Sequence, residues 1–225
     1  MLISVIIPVL NEARTLAKTL KTVDALPGDK EVIVVDGGSS DKTVAVAEKY
    51  SRVLNSDRGR AIQMNAGAAA GRGEVLLFLH ADTLLPPDAL QAIETSLKDE
   101  FVAGGRFRLK LSNPGWRYRL VGWSINTRDR ILGGFTGDQA IFVRKDVFNA
   151  IGGYPQIPLM EDLEFGRRMQ QAGGVLRLRQ RVITSSRRWE KHGVLKTVFL
   201  MGMLRTLYYV NFPPSRLRRW YNDAR

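Results

Sequence analysis

The run Leu2-Ile3-Ser4-Val5-Ile6-Ile7-Pro8-Val9 decides the fold class. It is almost continuously apolar and β-branched, lacking the polar alternation of a strand wetted on one side, so it reads as a strand buried on both faces. Asn11-Glu12 ends it, and a helix over 12–25 follows, closed by Pro27-Gly28. Two further runs of the same kind lie at 31–35 and 74–79, with a short strand at 52–55 between them. Asp41 is placed to cap a helix through Tyr50, 59–70 reads as a helix of small residues, and Pro86-Pro87 opens another. Strands alternating with helices in this way predict an α/β fold with a mainly parallel central sheet flanked by helices.

Beyond residue 98 the rhythm changes. Residues 103–111 alternate as a half-exposed strand would, 116–132 form an amphipathic helix and 139–143 a strand. A helix over 160–172 precedes Gly173-Gly174, two short strands run up to Thr184, and a helix over 189–210 leads into Pro213-Pro214 and a basic tail. There is no internal repeat and no low-complexity linker, so we expect one domain over 1–225 with lobes at 1–98 and 99–225.

The chain has 225 residues, 44% of them apolar and 25% charged, which excludes extended disorder. It has no cysteine, so a disulfide framework, a thiolate metal site and a cysteine nucleophile are all ruled out. Its net charge is +12, unevenly spread: residues 1–100 hold 11 Lys+Arg and 14 Asp+Glu, residues 101–225 hold 23 and 8. With a pI near 10.3, the second half points to nucleic acid, an anionic membrane or a phosphorylated substrate. The first strand has no basic leader and does not resemble a signal peptide. The apolar stretch 197–204, between Lys196 and Arg205, is far short of the roughly 20 residues that span a bilayer. The expected location is cytoplasmic, with peripheral contact at the inner membrane face left open.

In an open parallel sheet, ligands bind beyond the carboxyl ends of the strands. Three such ends carry acidic or polar residues: Asn11-Glu12, Asp36, and His80-Ala81-Asp82. Each alone fits a helix cap, but three on one edge point to a site. No Gly-x-Gly-x-x-Gly and no P-loop pattern is present. Asp82 is a candidate ligand for Mn2+ or Mg2+, because one carboxylate plus substrate phosphate oxygens is how such ions are usually held. His80, two residues earlier, lies on the same face of an extended segment as a hydrogen-bonding neighbour.

The ordered set Ser4-Val5-Ile6-Ile7-Pro8-Val9-Leu10-Asn11-Glu12, Val34-Val35-Asp36-Gly37-Gly38-Ser39-Ser40-Asp41, Phe78-Leu79-His80-Ala81-Asp82-Thr83 and Glu161-Asp162 resembles glycosyltransferase family 2, with its GT-A fold. The resemblance implies inverting transfer of a sugar from a nucleotide-diphosphate donor, assisted by a divalent metal. It implies that 1–98 is the nucleotide-binding lobe and 99–225 the acceptor lobe. Pro8 and Glu12 would surround the nucleoside, Asp36 would accept from the base N–H, and Arg60 of Arg58-Gly59-Arg60 would cover base or phosphate. His80 would lie beside the donor, Asp82 would take the metal, and Asp162, paired with Glu161, would be the general base. Arg188-Trp189 is similar to a late Arg-Trp pair in an active-site loop of the family; Arg187, Arg188 and Trp189 would meet the diphosphate, and His192 is a further candidate metal ligand. The chain departs from the family at Gly37, where the family has a second Asp, and at His80, where it has the first Asp of Asp-x-Asp.

Arg58-Gly59-Arg60-Ala61-Ile62-Gln63-Met64-Asn65-Ala66-Gly67-Ala68 with Pro158-Leu159-Met160-Glu161-Asp162 further resembles a bacterial subgroup of small transferases. Some of its members are linked to arsenosugar biosynthesis. The implied partners are a UDP-type donor ahead of a GDP-type one and an acceptor that is a small molecule or a lipid, with no specific nucleic acid. The C-terminal helix, with Arg216, Arg218, Arg219, Trp220 and Tyr221 in the tail, is expected on an anionic membrane surface or in a homodimer. The competing readings are a nucleotidyltransferase on a related fold and a non-enzymatic basic module for nucleic acid or membrane.

Overall fold

The computed structural model describes residues 1–223; of Leu132, Asn222 and Asp223 it describes the backbone alone, and the rest of the expected 1–225 domain lies outside the described residues. Strands β1 (Ile3–Val9), β2 (Lys30–Asp36), β3 (Arg52–Asn55) and β4 (Val75–Phe78) run parallel in the order β3-β2-β1-β4. Helices α1 (Ala13–Asp24), α2 (Thr43–Ala47) and α3 (Arg60–Ala70) make the crossovers, and α4 (Ala89–Ser96) follows the two-residue β5 (Thr83–Leu84). Side chains along β1 point alternately into two cores: Ile3, Val5, Ile7 and Val9 enter one, and Ile6 enters the other with Ile33, Val35, Leu76 and Phe78. Two apolar faces explain why the strand carries no polar alternation.

The second half extends the same sheet. β6 (Val102–Leu111), β7 (Ile141–Arg144) and β8 (Gly174–Thr184) complete the order β4-β7-β6-β8-β5. β7 lies antiparallel to both β4 and β6, while β6 and β8 are parallel. α5 (Trp116–Leu132) and α7 (Glu161–Ala172) stand where periodicity places them, and α6 (Lys145–Ala150) joins β7 to the loop before α7.

Four local expectations are corrected. The Asp41 helix is only α2, because Asp41 Oδ1 accepts from the Thr43 N–H at 2.9 Å and from its hydroxyl, making a turn first. β6 is buried for most of its length because helices cover it: Phe107, Leu109 and Leu111 share a core with Val121 of α5, and Ala103 shares the other with Phe165 and Met169 of α7. Its Arg106 is 4% exposed, donates to the Asp129 carbonyl and lies 4.2 Å above the Phe135 ring; burial pushes it down to about 10. β8 is one strand, with a register shift opposite Arg106–Arg108, not two short ones. The expected helix over 189–210 breaks at Gly193 (φ 82°) into α8 (Arg187–His192) and α9 (Val194–Tyr209).

The basic tail is also ordered, as α10 (Pro214–Asp223). Leu217 is fully buried with Met160, Leu163 and Leu204, and Arg218 Nη1 donates to the Pro158 carbonyl at 2.6 Å. The tail is therefore folded back on the loop before α7.

α3 rides unusually close to the sheet at Gly67, where a Cβ would stand 2.4 Å from Ile6 Cγ2 and 3.1 Å from Val35 Cγ2. Gly67→Ala is expected to destabilise by about 1–3 kcal/mol, the usual cost of overpacking a filled core. Denaturant unfolding checks this; an unchanged midpoint would mean that α3 can move off the sheet freely.

Candidate active site

Because β1, β2 and β4 are parallel, their carboxyl ends place Asn11-Glu12, Asp36 and His80-Ala81-Asp82 on one edge. The first two loops are stitched together. Asn11 tolerates a positive φ of 55°, and its Oδ1 accepts from the Ser40 N–H at 2.8 Å. The Asn11 and Glu12 amides donate to Ser39 Oγ and Thr43 Oγ1. Asp36, 3% exposed, accepts from the Gly38 and Ser39 amides and from the Ser39 hydroxyl. Gly37 has its own reason: a Cβ there would press at 3.0 Å on Gln63, whose Nε2 clasps the carbonyls of Val9 and Val35 at 2.8 Å each.

Antiparallel β7 begins at this same edge, because Ile141 pairs with Phe78. It brings in Asp138, a residue the sequence reading passed over. Asp138 Oδ1 lies 2.9 Å from His80 Nδ1. Burial opposes its ionisation, yet the hydrogen bond and charge of His80, with Arg188 and Arg60, hold the carboxyl below the usual range. β5 pairs with the end of β8 through Thr83 and Thr184, whose hydroxyls are 3.0 Å apart. This sets α8 directly beyond Asp82.

In α8, Arg187 forms a 3.4 Å ion pair with Glu12, and the Arg188 guanidinium lies 5.2 Å over the Tyr221 ring. Trp189 is partly buried against the main core and anchors the helix, and His192 ends it.

The acidic pair opens α7 after Met160, whose φ is 70°. Glu161, 5% exposed, is 3.4 Å from Arg60 Nη1. Asp162 Oδ2 accepts from the Gly137 N–H at 2.7 Å, and Oδ1 from the Leu163 N–H. Burial first, and then the Glu161 charge, push the Asp162 carboxyl up to about 6. A small pocket joins Asp162 to Pro8, Arg60, His80 and Tyr154. A wider groove along α1, between Lys18, Lys21 and Pro87, holds none of the candidate residues except that it starts at the helix that Glu12 precedes.

Among the described residues no three His, Asp or Glu side chains form a closed metal cage. The donors fit an ion held by a carboxylate and completed by substrate oxygens. Burial raises the Asp82 carboxyl, the negative Asp138 and Glu12 raise it further, and His80 and Arg187 oppose them. A divalent cation beside Asp82 would relieve that repulsion.

An α/β sheet that gathers carboxylates and arginines beyond its strand ends is the architecture of GT-A glycosyltransferases. In solved structures the fold recurs in S. aureus TarS 1–349 in complex with UDP-GlcNAc (TM-score 0.66, 19% identity, 82% of this chain and 58% of that one). It recurs also in the mannosyltransferase PcManGT from Pyrobaculum calidifontis in complex with GDP-Man and Mn2+ (TM-score 0.63, 17% identity, 80% and 56%). Residues 4–152 match the family described as Glycosyl transferase family 2, and the chain belongs to that family. A PGL/p-HBAD biosynthesis glycosyltransferase of Mycobacterium bovis is 32% identical over 167 residues, 67% of this chain and 62% of its own. The chain spans 35% to 62% of the length of the first curated relatives it matches.

Proposed function

We propose that this chain is a glycosyltransferase that moves a sugar, with inversion, from a nucleotide-diphosphate donor to an acceptor hydroxyl. The observation that carries the reading is convergence at one sheet edge: Glu12, Asp36 and Asp82 lie at or just past the ends of parallel strands, and Asp162, Pro8, Arg60 and His80 meet around one small cavity beside them. Residues 1–98 bind the nucleotide, with Pro8, Glu12 and Asp36 around the nucleoside. Asp36 already accepts three hydrogen bonds. A carboxylate offers about four acceptor positions, so what is left suits the single N–H of a uracil better than the several of a guanine. This supports a UDP-type donor over a GDP-type one.

Asp82 would hold Mn2+ or Mg2+, with His80 and Asp138 orienting its surroundings; when bound, such an ion neutralises charge on the diphosphate. Arg187 and Arg188 add permanently charged, bidentate donors for the same group. Residues 99–225 supply the acceptor side. There the Asp162 carboxylate takes the proton of the acceptor hydroxyl, the acceptor oxygen bonds to the anomeric carbon, and the bond to the diphosphate breaks with its electron pair leaving on the diphosphate. Glu161 and Arg60 position Asp162. The acceptor is a small molecule or a lipid, and the subgroup resemblance puts arsenosugar precursors among those to screen.

A base must be ionised to act. With its carboxyl pushed up to about 6, kcat/KM is expected to fall as pH drops through about 6 and to level off above it, a limb that Asp162→Asn should abolish. The reading itself is tested by thermal shift with UDP- and GDP-sugars, with and without Mn2+, since a ligand of the folded state raises its stability. Stabilisation by a UDP-sugar supports it; no response to any nucleotide sugar refutes it.

A further inference from the structure

We infer that α5 and α9 together form a docking face for an anionic lipid surface. The two helices lie side by side: Tyr118 and Ile125 of α5 pack on the same core as Val194 of α9, and Asp129 stands next to Arg205 near their far ends. Each leaves an apolar stripe in solvent. On α5 it is Trp116, Leu120, Trp123 and Ile131, at helical spacing, with the two tryptophans 68% and 64% exposed. On α9 it is Leu195, Val198 and Phe199, continued by Tyr209, with Leu195 85% and Phe199 74% exposed. Monomeric proteins rarely leave such faces uncovered.

Charge selects the occupant. The only acidic residue on either helix is Asp129, which is buried. Arg117, Arg119, Arg130 and Lys196 flank the stripes and are exposed. Two copies meeting through this face would set those cations against one another, which disfavours a dimer. Phosphate headgroups would neutralise them, while Trp, Phe and Leu enter the headgroup boundary, the usual arrangement of an interfacial helix. The basic tail is not the centre of this surface, since Leu217 and Arg218 are engaged by the fold. Among the described residues no helix is long and apolar enough to cross a membrane.

Co-sedimentation of the full chain with vesicles tests the inference without any assay of transfer. Vesicles of phosphatidylglycerol and phosphatidylcholine in equal parts should bind it at low salt, and phosphatidylcholine alone about tenfold less or weaker still. The variant Trp116→Ser/Trp123→Ser/Phe199→Ser should lose about tenfold or more of the binding to anionic vesicles. Phe101→Ser, at an 87% exposed residue just before β6, should lose none. Should the triple variant fail to fold by circular dichroism, Arg119→Glu/Arg130→Glu reads the same face and should also lose about tenfold. No binding to anionic vesicles, or binding that these variants retain in full, overturns the inference. So does a dimer by light scattering that the variants split, which would make a second copy the occupant.

Discussion

Asp162→Asn is expected to lower transfer by about 10²–10⁴, the usual contribution of a general base, with donor affinity unchanged. The replacement keeps the size of the side chain and an oxygen that can accept from the Gly137 N–H, the bond that fixes Asp162 at 2.7 Å. What it removes is the capacity to take a proton. Burial and the adjacent Glu161 push that carboxyl up to about 6, near the pH at which a base is most effective. Burst and steady-state kinetics with titration of the donor separate the two effects. A parallel loss of donor affinity and turnover would assign Asp162 to donor binding or to the architecture of the α7 entry instead.

Asp82→Ala should abolish the Mn2+ dependence of nucleotide-diphosphate affinity and take nearly all transfer with it. A bound cation stabilises several kcal/mol of developing charge, and each 1.36 kcal/mol is about tenfold in rate, so a loss of about 10³ is expected. Asp82 sits among Glu12 and Asp138, both of which raise its pKa. Without a cation, removal of one carboxylate would relieve repulsion and leave donor affinity equal or improved. Calorimetric titration of UDP with and without Mn2+ distinguishes the cases. Undiminished turnover in the variant would sink the assignment of Asp82.

Where the fold was legible, the signal was local. β1, β2 and β4 are continuous apolar runs because both their faces are covered, and the residues that end them inherit a common edge from parallel pairing. Glu12, Asp36 and Asp82 follow from that alone. Asp138 does not: it is one Asp in a glycine-rich loop, brought to His80 only because β7 inserts antiparallel beside β4. Periodicity carries no trace of that pairing. The same limit hid the burial of β6, whose alternating arginines look solvated until α5 and the Phe135 ring cover Arg106. It also hid α10, where Leu217 and Tyr221, set among arginines, pack on the cluster beside the entry to α7 and Arg218 bonds to the Pro158 carbonyl. Gln63 likewise reads as a polar residue of a small-residue helix, yet it joins the ends of β1 and β2 and fills the space a second Asp at position 37 would need.

Inverting sugar transfer is tested most directly by following UDP-sugar with the full chain and Mn2+ by proton NMR, with water as the acceptor. Slow release of nucleoside diphosphate is expected together with free sugar whose first-formed anomer is opposite to that of the donor, and both should be lost in Asp162→Asn. Release of nucleoside monophosphate with sugar 1-phosphate would contradict sugar transfer and point to attack at phosphorus, the chemistry of a nucleotidyltransferase-like site. Free sugar appearing first with the donor's own configuration would contradict inversion.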